Sequence, residues 1–189
     1  MRLLLASASA RRLDLLTAAG FTCDVESIDI DERQRPDELP ATYVRRLAIE
    51  KASAIAERHP SKVVLAADTA VILDETVFGK PADSADAARM LKALAGRQHE
   101  VLTGVAIRHG HRQLDHVERT SVWMADLSRE QIDWYVASGE PMGKAGAYAI
   151  QGLAARFIPR IAGSYSNVVG LPVAAVAAML AAVGIDGDG

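Results

Sequence analysis

Two residues whose side chains could take part in catalysis directly follow a short apolar run in the first half of the chain. Val63–Ala67 is continuously apolar, which is typical of a strand covered on both faces, and Asp68 and Thr69 come next. A carboxylate is costly to bury without a partner, and open α/β sheets bind ligands at the carboxyl ends of their strands. Asp68 is therefore the first candidate for catalysis, although an aspartate that simply starts a turn fits the same position.

A lysine is predicted to return to the same end of that strand. The chain runs through a second apolar stretch, turns at Asp74-Glu75 and continues to Lys80. If residues 76–80 pair back as a hairpin, Lys80 comes near Asp68. An acid and a lysine at one end of a sheet predict an anionic ligand, with or without a metal ion.

The N-terminus has the pattern of a strand, a small-residue turn and a helix that carries two arginines. Leu3–Ala6 is a predicted buried strand, Ser7 or Ser9 suits the helix cap, and Arg11 and Arg12 fall in the first turn. Free N–H groups at a helix start favour an anion, and a bound phosphate would offset the unfavourable position of two cations there. Two solvated arginines on a surface helix are the alternative.

An acidic loop is predicted between the second strand, Phe21–Ile28, and the second helix. Residues 29–39 are charged and interrupted by proline, and they include three neighbouring carboxylates, Asp29, Asp31 and Glu32. Such a cluster is either solvated or supplies oxygen ligands to Mg²⁺ or Mn²⁺.

The helix that follows this loop places a lysine on its apolar face. Pro40 suits the first turn of a helix that runs to about Arg58, and Lys51 falls on the same stripe as Val44. A lysine on a buried face must either extend to solvent or meet an anion. The second option is favoured, because the strand that leads to Asp68 comes next.

The second half of the chain is predicted to contain a strand hairpin between two helices, and then a glycine-rich loop and a last helix. The predicted elements are a helix capped by Ser84 that runs through Leu94, strands over Gln98–Arg108 and Arg112–Ala125, and a helix from the capping box at Ser128 to Ser138. His109 and His111 lie at the predicted hairpin tip, where we do not expect a metal. Residues 140–165 can approach a ligand closely, and Gln151 offers both a donor and an acceptor there, unless the loop is merely flexible and solvated.

Composition limits the class of protein. The 189 residues carry a net charge of −3 without a basic run, which argues against a binder of duplex nucleic acid. Cys23 is the only cysteine, so no disulfide forms within the chain and a reducing cytoplasm is the expected setting. The apolar N-terminus is too short for a signal peptide, and the late apolar stretch contains Pro172, so we expect a packed helix there and no membrane span.

Taken together and in order, several segments resemble the Maf family of nucleoside triphosphate pyrophosphatases. The matching segments are Leu5–Arg12, Asp31-Glu32, Arg46–Ala48 with Glu50–Ala52, Ala67–Thr69, Gly79–Pro81, Lys144–Tyr148 with Ile150–Gly152, and Gly163–Tyr165 with Asn167–Pro172. The family usually has proline where this chain has Ala10, a difference that removes no functional group.

The resemblance implies a fold, a reaction and a cofactor. The implied fold is one α/β domain over residues 1–189, with an elongated mixed central sheet, flanking helices and two lobes with a cleft, similar to inosine triphosphate pyrophosphatase. The implied reaction cleaves a nucleoside triphosphate between its α- and β-phosphates with the help of a divalent cation, Mg²⁺ or Mn²⁺. A homodimer is the implied assembly.

The resemblance also implies roles for the candidate residues. Asp68 would accept the proton of the attacking water and would share a metal ion with Glu32. Lys51 and Lys80 would act in catalysis with Asp68. The residues that would bind the substrate and set specificity are Ser7, Arg11, Arg12, Thr69 and Gln151.

Within the family, the combination of Arg11, Thr69 and Gln151 is similar to that of the branch acting on dTTP and UTP. The branch acting on 7-methyl-GTP, which usually has tryptophan in place of Arg11, is the first alternative. A nucleotide-binding regulator of septum formation that does not catalyse is the second, and it is disfavoured because it would not need Asp68 together with Glu32 and the two lysines.

Overall fold

The computed structural model describes residues 2–185, which form a mixed sheet flanked by helices. The strands are β1 (Leu3–Ala6), β2 (Cys23–Val25), β3 (Val63–Leu73), β4 (Thr76–Phe78), β5 (Gln98–His109), β6 (Arg112–Trp123) and β7 (Arg160–Ala162). Their order is β2-β1-β3-β5-β6-β7, with β4 paired to β3. β1 runs parallel to β2 and β3, whereas β4 is antiparallel to β3 and β7 to β6. The predicted α/β class with a mixed sheet is confirmed.

The helices follow the predicted order. They are α1 (Ala10–Ala18), α2 (Pro40–Arg58), α3 (Ser84–Leu94), α4 (Arg129–Ala137), α5 (Tyr165–Val169) and α6 (Val173–Ala181), with 3₁₀ turns at Ala145–Ala147 and Leu153–Phe157. The cap of α3 is Asp83, whose side chain accepts a hydrogen bond from Asp86 N, and not Ser84. Within residues 2–185, no helix combines the length and the apolar character needed to cross a membrane.

The described residues group into two compact units. The first unit contains the chain up to Thr69, Thr103–Glu118 and the chain from Gly170 onward. The second unit contains Ala70–Leu102 and Arg119–Val169. The single domain over residues 1–189 stays a prediction.

Alternation along β1 and β3 divides the core of the first unit between the two faces of the sheet. Leu3 and Leu5 pack with α1 and α6, whereas Leu4 and Ala6 pack with α2. Successive side chains of a strand point to opposite faces, so a continuously apolar strand is buried when helices cover both sides. α2 is thereby held against the sheet, with Lys51 on its buried side.

A glycine in β5 fixes how closely α2 approaches. A Cβ atom on Gly104 would lie 2.2 Å from the backbone oxygen of Val44, so a larger residue cannot occupy this position without moving the helix. Glycine inside a strand often marks such a close backbone approach.

The predicted strand end at Ala67 is wrong, because β3 continues without interruption from Val63 to Leu73. Asp68 and Thr69 are the two half-buried polar residues within it. They remain in the strand because each has hydrogen-bond partners, which removes most of the cost of burying a polar group. Pairing with β1 nevertheless stops at Ala66, so Asp68 lies just beyond the carboxyl end of β1.

The β3–β4 hairpin is confirmed, with Leu73 opposite Thr76. Asp74 and Glu75 have φ angles of 49° and 65°, which is the left-handed conformation required at both central positions of a type I′ turn. The second strand is shorter than predicted, Cys23–Val25 instead of Phe21–Ile28. The short helix α5 was not predicted, and Gly170, whose φ of 135° favours glycine, separates it from the last helix, α6.

Candidate active site

Lys51 joins two carboxylates in the first unit. Its Nζ lies 2.6 Å from Glu32 Oε1 and 2.7 Å from Asp68 Oδ1. α2 supplies the lysine, β3 supplies Asp68 and the acidic loop supplies Glu32, so three separate elements meet at one ammonium group. The Lys51 side chain is 11% exposed, which excludes the alternative in which it extends to solvent.

The acidic loop is fixed to α2 by a cluster of ionic hydrogen bonds. Arg46 binds Glu38 with two nitrogens, Nε at 2.6 Å and Nη2 at 2.8 Å, and Nη2 also donates to Arg33 O. The guanidinium group lowers the pKa of Glu38 to about 2 and keeps it ionised. Tyr43 donates its hydroxyl hydrogen to Glu32 O at 2.9 Å. The backbone of Glu32 and of the residue after it is therefore tied to α2.

Arg12 forms the centre of a second group in the first unit. Its Nη1 donates to Ser7 Oγ at 3.1 Å, its Nη2 to Thr69 Oγ1 at 3.1 Å and its Nε to Gly170 O at 2.9 Å. Thr69 Oγ1 also lies 2.9 Å from Thr103 Oγ1. The turn after β1, the middle of β3 and the segment before α6 thus converge on one guanidinium group.

Ser9 occupies the cap position of α1 but makes no capping bond with its side chain. Ser7 Oγ instead accepts a hydrogen bond from Ser9 N at 3.2 Å, in addition to the one from Arg12. The buried Ser7 hydroxyl therefore orders the turn that leads into the helix.

The charges of the two groups influence one another. Burial lowers the pKa of Arg12, and the nearby Asp68 carboxylate opposes that effect. Burial likewise lowers the pKa of Arg11, which is partly buried beside it. Burial raises the pKa of Tyr43 to about 12, and the negative charges of Asp68 and Glu32 add to the shift. These influences indicate that the arginines, the carboxylates and the tyrosine share one electrostatic environment.

The donor set around Lys51 fits a hard divalent cation. Glu32 Oε1 and Asp68 Oδ1 contact the same Nζ, so the two oxygens lie within two hydrogen-bond lengths of each other. The described residues contain no group of three or more His, Cys, Asp or Glu side chains arranged for a metal. Mg²⁺ is commonly bound by one or two carboxylates plus substrate phosphates, which is the number available here.

Lys80 and Gln151 lie in the second unit, where both are exposed. The peptide beside Lys80 is fixed, because Gly79 O accepts a hydrogen bond from Gly146 N at 3.0 Å. Gly146 has a φ of 68°, and a Cβ atom there would lie 2.7 Å from Val71 Cγ2. The glycine-rich loop thus packs tightly against β3, and the interpretation as a merely flexible loop is wrong at this point.

Sequence reasoning missed three contributors to this geometry. Thr103 lies within the apolar strand β5, and Gly170 contributes a backbone oxygen, which no side-chain pattern reveals. Arg46 lies in a segment that matches the family, but its role depends on the distant Glu38. The signal available for Thr103 is a polar residue in an otherwise buried run, like that of Asp68.

Comparisons with known proteins assign the chain to a family. The family model described as "Maf-like protein" matches residues 2–183. A dTTP/UTP pyrophosphatase of Anaeromyxobacter dehalogenans is 53% identical over 187 residues, covering 97% of this chain and 94% of its own length. A dTTP/UTP pyrophosphatase of Cereibacter sphaeroides is 52% identical, covering 98% and 96%.

A solved structure supports the fold alone. A HAM1 protein from Coxiella burnetii superposes with a TM-score of 0.50 at 18% identity, covering 68% of this chain and 75% of that one. The family model matches nearly all of the described residues, and the two relatives are 53% and 52% identical to this chain. The chain belongs to the Maf family.

Proposed function

We propose that this chain is a nucleoside triphosphate pyrophosphatase that hydrolyses dTTP and UTP to the monophosphate and pyrophosphate. The observation that carries the proposal is the pair of carboxylates, Glu32 and Asp68, on the Nζ of Lys51. The family and the names of the relatives at about half identity support the choice of reaction.

Asp68 is the proposed proton acceptor. Its Oδ1 accepts a hydrogen bond from Lys51, and its second oxygen takes a proton from the attacking water. The water oxygen bonds to the α-phosphorus, the bond from that phosphorus to the bridging oxygen breaks, and pyrophosphate leaves. Lys51 keeps the Asp68 carboxylate in place through this hydrogen bond.

Positive charge and hydrogen-bond donors are the main catalytic requirement, because phosphoryl transfer depends mostly on positioning and electrostatics. Arg11, Arg12 and Lys51 supply charge from the first unit, and the Ser7 hydroxyl and the turn after it supply donors. Lys80 is proposed to contribute a further cation.

Glu32 and Asp68 are the residues proposed to hold a divalent cation, Mg²⁺ or Mn²⁺. The bound cation would neutralise charge that develops on the phosphate oxygens. Lys51 is their partner in the structure, so the ammonium group and the cation compete for the same two carboxylates.

Gln151 is proposed to select the base, together with Arg11 and Thr69. Thymine and uracil each present an N3–H donor beside a carbonyl acceptor, which an amide can match. Cytosine lacks that N–H and carries an amino group in place of the carbonyl. An unpaired polar group costs about 1–3 kcal/mol, or roughly ten- to a hundredfold in discrimination.

Two other properties are proposed on less specific grounds. A reducing cytoplasm is the proposed setting, because Cys23 is the only cysteine. A homodimer is the assembly that the family resemblance implies. The 7-methyl-GTP activity and the non-catalytic regulator gain no support from a specific feature of this site.

The test is pyrophosphate release from dTTP, UTP, dCTP and GTP with Mn²⁺, with and without excess chelator. We expect hydrolysis of dTTP and UTP that stops with the chelator, and a loss of about 10²–10⁴-fold in Asp68→Asn. Equal rates on all four nucleotides would contradict the specificity. Near wild-type turnover of Asp68→Asn would contradict the assignment of the base.

A further inference from the structure

Gln151 lies at the exposed apex of a tight turn in the second unit. Gly152 N donates to Ala149 O at 3.0 Å. Gln151 is exposed, whereas Ile150 before it is buried and Gly152 after it is partly buried. An amide tells one base from another only when its donor and acceptor point in fixed directions. The backbone that carries Gln151 must therefore be held by other residues.

The carboxylate of Glu140 holds the outgoing side of this turn. Glu140 Oε2 accepts a hydrogen bond from Leu153 N at 2.9 Å, and Glu140 Oε1 accepts one from Ala154 N at 3.4 Å. These two N–H groups begin the 3₁₀ turn Leu153–Phe157, so the carboxylate occupies its N-terminal end. Gln151 precedes the first of them by two positions.

Tyr135 connects the carboxylate to the incoming side of the turn. Its hydroxyl donates to Glu140 Oε1 at 2.8 Å and accepts a hydrogen bond from Ala149 N at 3.2 Å. The side chain lies on α4 and is fully buried at 0% exposure. Burial and the neighbouring Glu140 raise the pKa of Tyr135, so the hydroxyl keeps its proton and remains a donor.

Two further contacts agree with a rigid support. A Cβ atom on Gly152 would lie 2.3 Å from Glu140 Oε2, so the residue after Gln151 must be glycine while the carboxylate stays in place. Tyr148 Oη lies 2.8 Å from His99 Nε2 in the core, which holds the chain three residues before Gln151. The turn is thus held on both sides of Gln151, which itself remains available to a ligand.

We propose that Glu140 and Tyr135 are positioning residues that orient the amide of Gln151, and that they thereby set the preference for thymine and uracil over cytosine. The inference rests on the proposed function, because it assigns a support to the residue proposed to read the base. Neither residue needs to touch the nucleotide.

The test is a double-mutant cycle read out as the ratio of kcat/KM for dTTP to that for dCTP. Gln151→Ala should lower this ratio about ten- to a hundredfold. Glu140→Gln replaces one acceptor oxygen with an NH₂ group that faces backbone N–H donors, and should lower the ratio about tenfold. In the Gln151→Ala background, Glu140→Gln should change the ratio no further. A purely structural loss would reduce both rates equally and leave the ratio unchanged.

Tyr135→Phe is the second variant, and it decides the question if Glu140→Gln does not fold. It removes the link to Ala149 N and should lower the ratio in the same direction. Glu130→Gln, an equal change of charge on an exposed position of α4, is the matched control and should keep the wild-type ratio.

The outcomes separate the inference from the function on which it rests. If Gln151→Ala abolishes the preference but Glu140→Gln and Tyr135→Phe retain it, the inference is overturned and the proposed function stands. Effects of Glu140→Gln and Gln151→Ala that multiply in the double variant would also overturn the inference. If the wild type shows no preference for dTTP, the proposed specificity fails first, and the inference fails with it.

Discussion

Lys51 connects the two candidate carboxylates of the first unit through a single ammonium group. Its ammonium group separates two carboxylates that would otherwise face each other, Glu32 and Asp68. The Asp68 side chain is 14% exposed, whereas that of Glu32 is 49% exposed, so the pair with Asp68 is the less screened of the two. Removing the ammonium group should therefore affect catalysis through Asp68, and metal binding through both Asp68 and Glu32.

We expect Lys51→Met to lower turnover about 10²-fold, the typical effect of losing one preorganised donor. The same substitution should tighten Mn²⁺ binding several-fold in the absence of nucleotide, because the two carboxylates lose a competing cation. Calorimetric titration with Mn²⁺ measures the second effect independently of activity. Lys62→Met is the matched control, because it removes a lysine whose partner, Asp24, is more exposed than Asp68. Unchanged Mn²⁺ affinity in Lys51→Met would contradict the competition.

Also at the scale of residues, Asp68 was selected from the sequence as the first catalytic candidate for a reason that is partly incorrect. The apolar run before it predicts a strand end, but β3 continues to Leu73. What the run could not reveal is that Lys51 and Thr103 supply partners to Asp68 and Thr69 inside the strand. A polar residue can remain in a buried strand when distant residues satisfy it, and sequence patterns report only near neighbours.

At the scale of elements, the acidic loop has no regular structure of its own and depends on α2. Arg46 is 11% exposed and Glu38 is 5% exposed, so their ion pair is far better shielded than a surface pair. The two parallel hydrogen bonds between them need the planar guanidinium group, which lysine does not have. The position of Glu32 therefore depends on an arginine fourteen residues further along the chain.

Arg46→Lys tests this dependence while preserving the charge. We expect the Mn²⁺ concentration required for half-maximal activity to rise about tenfold, since losing one charge-assisted hydrogen bond costs roughly 1.5–3 kcal/mol. Hydrogen exchange of residues 29–39 should accelerate in parallel. Arg45→Lys, on the neighbouring exposed position that pairs with Asp115, should change neither measurement. A wild-type Mn²⁺ requirement in Arg46→Lys would show that the position of Glu32 does not depend on the paired hydrogen bonds between Arg46 and Glu38.

The bounds of the elements show where sequence patterns suffice. α2 begins at Pro40 and ends at Arg58 as predicted, because proline at the first turn and an apolar stripe are local signals. The short helix α5 ends before Gly170, which turns the backbone and directs its oxygen to Arg12 and Thr69. Both partners lie far away in the sequence, so no local pattern could predict the contact.

At the scale of the whole molecule, buried His99 should make the stability depend on pH. His99 is 2% exposed, and its Nε2 lies 2.8 Å from Tyr148 Oη, whose pKa is itself raised by burial. Burial lowers the pKa of His99 from 6.5 to about 4. Because the unfolded chain then binds more protons than the native state, stability is fully present above pH 6.5 and is lost as the pH falls towards 4.

We expect His99 to account for about 3 kcal/mol of stability lost between pH 7 and pH 4, at about 1.4 kcal/mol for each pKa unit. His99→Gln keeps an amide that can bond to Tyr148 Oη but does not titrate, so its free energy of unfolding should fall less steeply over this range. Urea denaturation at several pH values measures the difference between the two slopes, in which the shared contributions of the carboxylates cancel. His111→Gln, at the exposed turn between β5 and β6, should follow the wild-type slope. Parallel slopes for wild type and His99→Gln would show that the buried histidine does not control the acid response.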